Sequence, residues 1–225
     1  MRLGLSSSWR TVPYRDWGVW DVVRPPNDAL QPTAGVAALR QEVRVIVTER
    51  LELVPATVEL TRAALDGAIA LGAGLGASVP PGWPPEYLDQ TSLEFTLDRL
   101  AEGPEQVGWW LHFVVLKSGD AGRTVIGSGG YKGRPSADGT VEVGYGIVTE
   151  HRRRGYASEV VRGLLAHAFA VSEVRRVIAE TLPELSPSIG VLCKCGFRLI
   201  GQGSEPGVIR FELTRADYQR VGSAT

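Results

Sequence analysis

The chain has 225 residues, 44% of them hydrophobic and 22% charged, with a formal net charge of −1; that suits one α/β domain with a substantial core plus an extension. The near-zero charge excludes the basic excess of a general nucleic-acid binder, and no apolar run reaches the length of a membrane span or a signal-peptide core. Cys193 and Cys195 are the only cysteines, too close in sequence for a disulfide framework and without the further Cys/His pair of a zinc site, so a reducing, cytoplasmic setting with no metal is expected.

Residues 1–42 set Trp9, Trp17 and Trp20 among Pro13, Pro25, Pro26 and Pro32, with little periodicity. They read as an N-terminal extension to a domain over 43–225, or as the product of a start site placed too far upstream. The first strand is expected over 48–54, where Leu51 and Leu53 alternate with Arg50 and Glu52, followed by a helix from an N-cap at Thr57 through Leu71. The Gly- and Pro-rich run 72–85 then breaks structure; its Gly-x-Gly-x-Gly follows a helix and not a strand, so it reads as a connector and a possible lid. A second helix is expected over 86–100. Strands follow at 108–116, 123–131 and 140–148, with turns at 118–122 and at Asp138-Gly139, forming an antiparallel meander. After a helix beginning near Ala157, a strand over 176–181 is expected to pair in parallel with 140–148, and a short helix at 186–195 and a hairpin at 197–203 and 207–214 close the domain. The fold class is α/β (α+β), a mixed, mostly antiparallel sheet of six to seven strands flanked by helices.

The most informative stretch is 140–172. Val141, Val143, Tyr145 and Ile147 alternate with Glu142, Gly144, Gly146 and Val148, and then Ala157, Val160, Val161, Leu164, Leu165 and Ala168 form one helical stripe. Between them lies Arg152-Arg153-Arg154-Gly155-Tyr156-Ala157. A helix N-terminus presents unpaired N–H groups and the positive end of its dipole, Gly155 permits close backbone approach, and the arginines add charge; an anion such as a pyrophosphate suits such a junction, although an arginine run can equally be a solvated turn.

This hexapeptide resembles the R/Q-x-x-G-x-G/A signature of the GNAT superfamily of acyl-CoA N-acyltransferases, in the strand–turn–helix setting that family uses. The run 181–197, ending in Gly196-Phe197, resembles the family's second landmark. Together they look most like the branch that includes the ribosomal-protein alanine N-acetyltransferases, over about residues 48–213. The resemblance implies acetyl-CoA as cosubstrate, held by Ile147, Val148, Arg152, Arg153, Arg154, Gly155, Tyr156, Ala157, Ser158 and Ser188, with a backbone N–H near Ile147 or Val148 serving the oxyanion. It makes Trp83, Tyr87, His112 and Tyr131 candidate acceptor contacts, though each aromatic or histidine also suits a core. Homodimers are common among relatives.

The chemistry needs no metal and no covalent intermediate, because a thioester is already activated; it needs orientation, an oxyanion donor and a base for the amine. Glu142 is the candidate base, through water, or else a surface carboxylate on an exposed strand face. Leu185 and Leu192 stand where many relatives carry Asn and Tyr, which leaves Ser188 as the candidate to contact the CoA sulfur or the pantetheine. His151 and His167 read as exposed, and Cys193 and Cys195 as buried thiols. The expected function is acetyl transfer to a primary amine, of a protein N-terminus or of a small molecule; the alternative is an acyl-CoA-binding sensor that has lost turnover.

Overall fold

The computed structural model describes residues 44–119 and 122–222; the extension expected over 1–42 lies outside them. Strands β1 (Ile46–Val47) and β2 (Leu51–Pro55) come first, then helices α1 (Val58–Asp66), α2 (Ala68–Leu75) and α3 (Gln90–Ala101). Strands β3 (Leu111–Gly119), β4 (Gly122–Tyr131) and β5 (Thr140–Ile147) lead to α4 (Tyr156–Ala170) and β6 (Arg176–Thr181). Helix α5 (Ser186–Lys194), strands β7 (Arg198–Gln202) and β8 (Ile209–Thr214), and α6 (Arg215–Gly222) complete the chain. The strands form one sheet in the order β1-β2-β3-β4-β5-β6-β8-β7, antiparallel throughout except for β5 with β6.

Eight strands form where six or seven are expected, because the first one is a hairpin: Thr48 donates its N–H to the Leu51 carbonyl and turns the chain between β1 and β2. The expected helix over 57–71 is two helices, since the backbone takes a φ of 116° at Gly67. Thr57 caps α1 by accepting from the Leu60 N–H, and α2 continues through Leu75 into the glycine run. Helix α3 begins at Gln90 and not near Glu86, where Asp89 accepts from the Ser92 N–H and fixes the start.

Alternation splits the core in two. Helix α4 lays Val160, Val161, Leu164, Leu165 and Ala168 on one face of the sheet, against Leu51, Leu53, Val114, Val141, Val143 and Val177. Helices α1 to α3 cover the other face of its N-terminal half, packing Leu71, Leu93 and Leu100 on Phe113, Val115 and Val125. On that second face β5, β6 and β8 instead carry Glu142, Glu180, Arg210 and Glu212, at the non-core positions of their strands.

Candidate active site

The parallel ladder between β5 and β6 is three residues long: Thr140, Val141 and Glu142 face Arg176, Val177 and Ile178. Beyond it the strands part, β5 staying on β4 as far as Ile147 and β6 staying on β8 as far as Thr181. Lys132 N–H donates to the Glu142 carbonyl and Val148 N–H to the Ile126 carbonyl, at 3.0 and 2.9 Å, so the even-numbered residues of β5 bond toward β4. The odd-numbered ones, Val143, Tyr145 and Ile147, therefore turn their peptide groups into the gap that β6 leaves. Val148 cannot supply the oxyanion donor expected of it, because its N–H is engaged and its side chain is buried.

The gap opens onto the start of α4. Gly155, at φ 82°, caps the helix without a side-chain hydrogen bond, a left-handed conformation natural to glycine. The first repeating helical bond runs from the Glu159 N–H to the Gly155 carbonyl, which leaves the N–H groups of Tyr156, Ala157 and Ser158 outside that pattern and available to an anion. The three arginines do different work. Arg152 donates from Nε to the Ile147 carbonyl at 2.9 Å and from Nη2 to Glu86 at 3.2 Å, tying the turn to the strand and to the loop ahead of α3. Arg153, at φ 61°, and Arg154 are exposed. Tyr156 is buried beneath the Arg50 guanidinium, 4.5 Å from its ring centroid, and Ser158 is buried with its carbonyl accepting from Cys195 Sγ; both can offer an anion their backbone but not their side chains.

On the face opposite α4, Glu142 forms an ion pair with Lys132, and its side chain is 19% exposed. Burial pushes its carboxyl above the usual carboxylate range, with Lys132 opposing and Glu180 adding to the rise. Gly146, on the same side of β5, lies beneath Pro85 and Glu86, close enough that a side chain there would press on both. The 83–87 stretch thus rides over the parted segment of β5, with Trp83 half-buried against Phe113 and Tyr87 exposed.

His112 and Tyr131 do not join this group. Each lies on the α4 face, His112 opposite Gly129 in the register, in a buried cluster with Trp109 and His167. Tyr131 donates to the Leu164 carbonyl at 2.6 Å. Both side chains are buried in the core, so the structure does not bring either to the Glu142 side of the sheet. His167 likewise is partly buried in that cluster and not exposed, whereas Cys193, expected buried, is exposed.

Leu185 occupies the N-cap position of α5 with no side-chain cap, and Leu192 is 1% exposed, a core residue. Ser188 meets a partner that sequence reasoning did not single out: Tyr145 Oη lies 3.2 Å from both Ser188 Oγ and the Ser188 carbonyl. Burial pushes the Tyr145 hydroxyl up to about 12. The available signal was its place three residues after Glu142 on one strand, which sets the two side chains on opposite faces. Among the described residues no three His, Cys, Asp or Glu side chains gather as a metal site, and no helix is long and apolar enough to cross a membrane.

Comparisons with known proteins bear on the family and the fold. Residues 50–198 match the family model described as "Acetyltransferase (GNAT) domain". An uncharacterized N-acetyltransferase, p20, of Bacillus licheniformis is 29% identical over 113 residues, 47% of this chain and 62% of that protein; the chain thus spans less than two thirds of that relative. A putative ribosomal-protein-serine acetyltransferase from Vibrio cholerae superposes with a TM-score of 0.53 at 21% identity, over 76% of this chain and 97% of the other. The RimL ribosomal L7/L12 alpha-N-protein acetyltransferase, solved with coenzyme A, does so at 0.53 and 17% identity, over 76% and 98%. At these identities the two structures speak for a shared fold.

Proposed function

The chain belongs to the GNAT acetyltransferase family, and on that premise we propose that it transfers the acetyl group of acetyl-CoA directly to a primary amine. The observation that carries this reading is the parting of β5 from β6 beside the start of α4. A pantetheine arm carries amides and can pair, as a strand would, with the freed edge at Tyr145 and with the Ile147 N–H, the Ile147 carbonyl being held by Arg152. Its pyrophosphate would meet the N–H groups of residues 156–158, with Gly155 permitting close approach and Arg153 and Arg154 supplying charge. The gap is closed at Glu142, so the thioester end lies deepest, near Tyr145 and Glu142.

Glu142 is the base in this reading. Its partial burial and its place on the face beneath the 83–87 loop suit it to take a proton, through water, from an amine entering under Trp83 and Tyr87. A free N–H of β5, that of Tyr145 or Ile147, would receive the developing oxyanion. An α-amine, with a pKa of about 7.7 to 8, costs roughly 1 kcal/mol to neutralise at pH 7, against roughly 4 to 5 kcal/mol for an alkyl amine near 10.4. A single half-buried carboxylate is therefore better matched to an α-amine, of a protein N-terminus or of a small molecule. The apolar Leu192 favours a second reading, an acyl-CoA-binding sensor without turnover.

A thermal-shift series with acetyl-CoA, CoA and NADH, followed by thiol release with a panel of amines, tests both. Saturation at about 100 times Kd adds about 2.7 kcal/mol, a rise of roughly 5 to 11 °C for a chain of this size. A shift with both CoA species and thiol release with an amine supports the transferase; a shift without release leaves the sensor, and no shift removes both.

A further inference from the structure

Arg176 and Arg210 share the face of the sheet opposite α4 and are held differently. Arg176 lies at the closed end of the β5–β6 ladder, where Nε donates to Thr140, Nη1 to Glu212 and Nη2 to Asp138. Arg210 lies at the parted end: it faces Glu180 in the β6–β8 register, two residues beyond Ile178, where the ladder to β5 stops. The Glu180 side chain is 0% exposed. It accepts from the Ser204 N–H at 2.8 Å, the Ser204 hydroxyl at 2.7 Å, and Arg210 Nε and Nη2, both at 2.7 Å. A buried carboxylate thus fixes the guanidinium and has no surface left for a ligand, whereas Arg210 stays 32% exposed and its Nη1 has no partner among the described residues.

Continuing the ladder's register sets Gly144 across the gap from Glu180. A side chain at Gly144 would meet no atom within 4 Å, while Gly146 beyond it lies beneath Pro85 and Glu86. The space over Gly144 is therefore flanked by Glu142 on the closed side and by the Glu180–Arg210 pair across the gap. Arg210 is near enough to Glu142 to lower its carboxyl's value, and Lys132, the other cation there, is paired with Glu142 itself. Resting on the transferase reading above, we propose that Arg210 is a specificity residue whose Nη1 edge binds a carboxylate of the acceptor, so that the acceptor is a small molecule of the amino-acid class and not a protein N-terminus. A planar guanidinium, always charged, matches a carboxylate with directed donors. An amine at Glu142 and a carboxylate at Arg210 would place opposite charges on opposite partners, whereas the first peptide group of a protein N-terminus offers Arg210 only a neutral carbonyl. A carboxylate beside an amine also favours the protonated amine; held by Arg210, its influence is offset, and Glu142 has a less basic amine to serve.

The test measures thiol release by the wild-type chain with a panel of amino acids, each offered as the free acid and as its amide, at equal concentrations of unprotonated amine. The best free acid should exceed its own amide in kcat/KM by about 100-fold or more. Arg210→Lys keeps a cation beside Glu180 but loses the planar fork, and should cut that preference to about tenfold or less through the KM of the free acid. Amides, or peptides with a free N-terminus, that serve as well as the free acids overturn the proposal while leaving the transferase reading intact. So does an undiminished preference in Arg210→Lys. If the melting midpoint shows that Arg210→Lys folds poorly, the wild-type comparison of acid with amide decides. A wild-type chain that binds acetyl-CoA but acetylates no amine removes both readings together.

Discussion

Arg50 holds Glu159 with its backbone and its side chain at once, the N–H to Oε1 and Nε to Oε2, each at 2.7 Å. Thr48 Oγ1 joins at 2.6 Å, and Arg50 Nη1 reaches the Arg154 carbonyl at 3.0 Å. The hairpin that opens the domain thereby braces the turn before α4. Burial pushes the Glu159 carboxyl up, but the hydrogen bonds from Thr48 and Arg50 outweigh it and leave it below its ordinary 4.5. Glu159→Ala should cost about 2 kcal/mol near pH 7, leaving Arg50 and Thr48 short of an acceptor, and lower Tm by roughly 4 to 8 °C. Because the folded value is depressed, the wild-type advantage should be complete above pH 4.5 and shrink as pH falls through the folded value. Equal melting of the two proteins at pH 7 would show that the brace contributes nothing.

Glu142 sets the acid limb of activity in the proposed mechanism. Its carboxyl must be ionised to act, and burial raises its value while Lys132 lowers it. Glu142→Gln should reduce kcat about 100-fold or more with acetyl-CoA affinity nearly kept. Lys132→Met removes the opposing cation, so the acid limb of kcat should move to higher pH. An acid limb that moves lower, or stays fixed in Lys132→Met, would mean that another group sets it.

Arg152 and Arg153 separate two kinds of contribution. Arg152 positions the Ile147 carbonyl and Glu86, so Arg152→Met should disturb the cosubstrate gap and the 83–87 loop together, raising KM for both acetyl-CoA and amine by about tenfold. Arg153→Met should raise only the acetyl-CoA KM, by a few-fold and less at high salt. Titrations of each substrate at two ionic strengths distinguish them; identical behaviour of the two variants would contradict the division.

His112 should matter to acid stability and not to catalysis. Burial, aided by nearby His167, pulls its imidazole down to about 3. Trp110 carbonyl faces Nδ1 at 3.3 Å, and Nε2 has no hydrogen-bond partner among the described residues. An unfolded chain binds a proton at His112 near 6.5 and the folded chain does not, so this residue costs stability increasingly as pH falls from about 6.5 toward 3. His112→Leu should flatten that decline in urea titrations at pH 7 and 4.5, and should leave the pH dependence of kcat unaltered. A decline as steep as in wild type would place the sensitivity elsewhere.

Much of the fold was legible in local pattern. The switch from Val141–Val143–Tyr145–Ile147 alternation to the Val160–Leu164–Ala168 stripe locates β5 and α4 within a residue, because one face of each is buried. Breaks were less legible: a two-residue strand at Ile46–Val47 and an interruption at Gly67 depend on a few backbone angles and carry no periodicity. Helix α6 follows β8 directly, with no turn signal between them. For the site, the motif located the helix start but not the duties within it. Nothing in Arg152-Arg153-Arg154 says that the first arginine faces the Ile147 carbonyl, since that depends on the path of the chain through Arg153 and Gly155. Alternation puts His112 and Tyr145 on the α4 face of their strands, but it reports a side and not a neighbour, so neither the cluster around His112 nor the Tyr145–Ser188 contact is legible in it.

The brevity of the β5–β6 ladder bears on folding as well as on catalysis. A strand edge in mid-sheet is a liability of the kind that proteins usually cover at their margins, since its peptide groups are a template for any extended chain. If pantetheine supplies the missing row of amides, the metabolite acts as a detachable strand. Scarcity of acetyl-CoA would then do more than slow the reaction: it would leave a sticky seam through the centre of the sheet, tying the protein's resistance to self-association to the cell's supply of activated acetate.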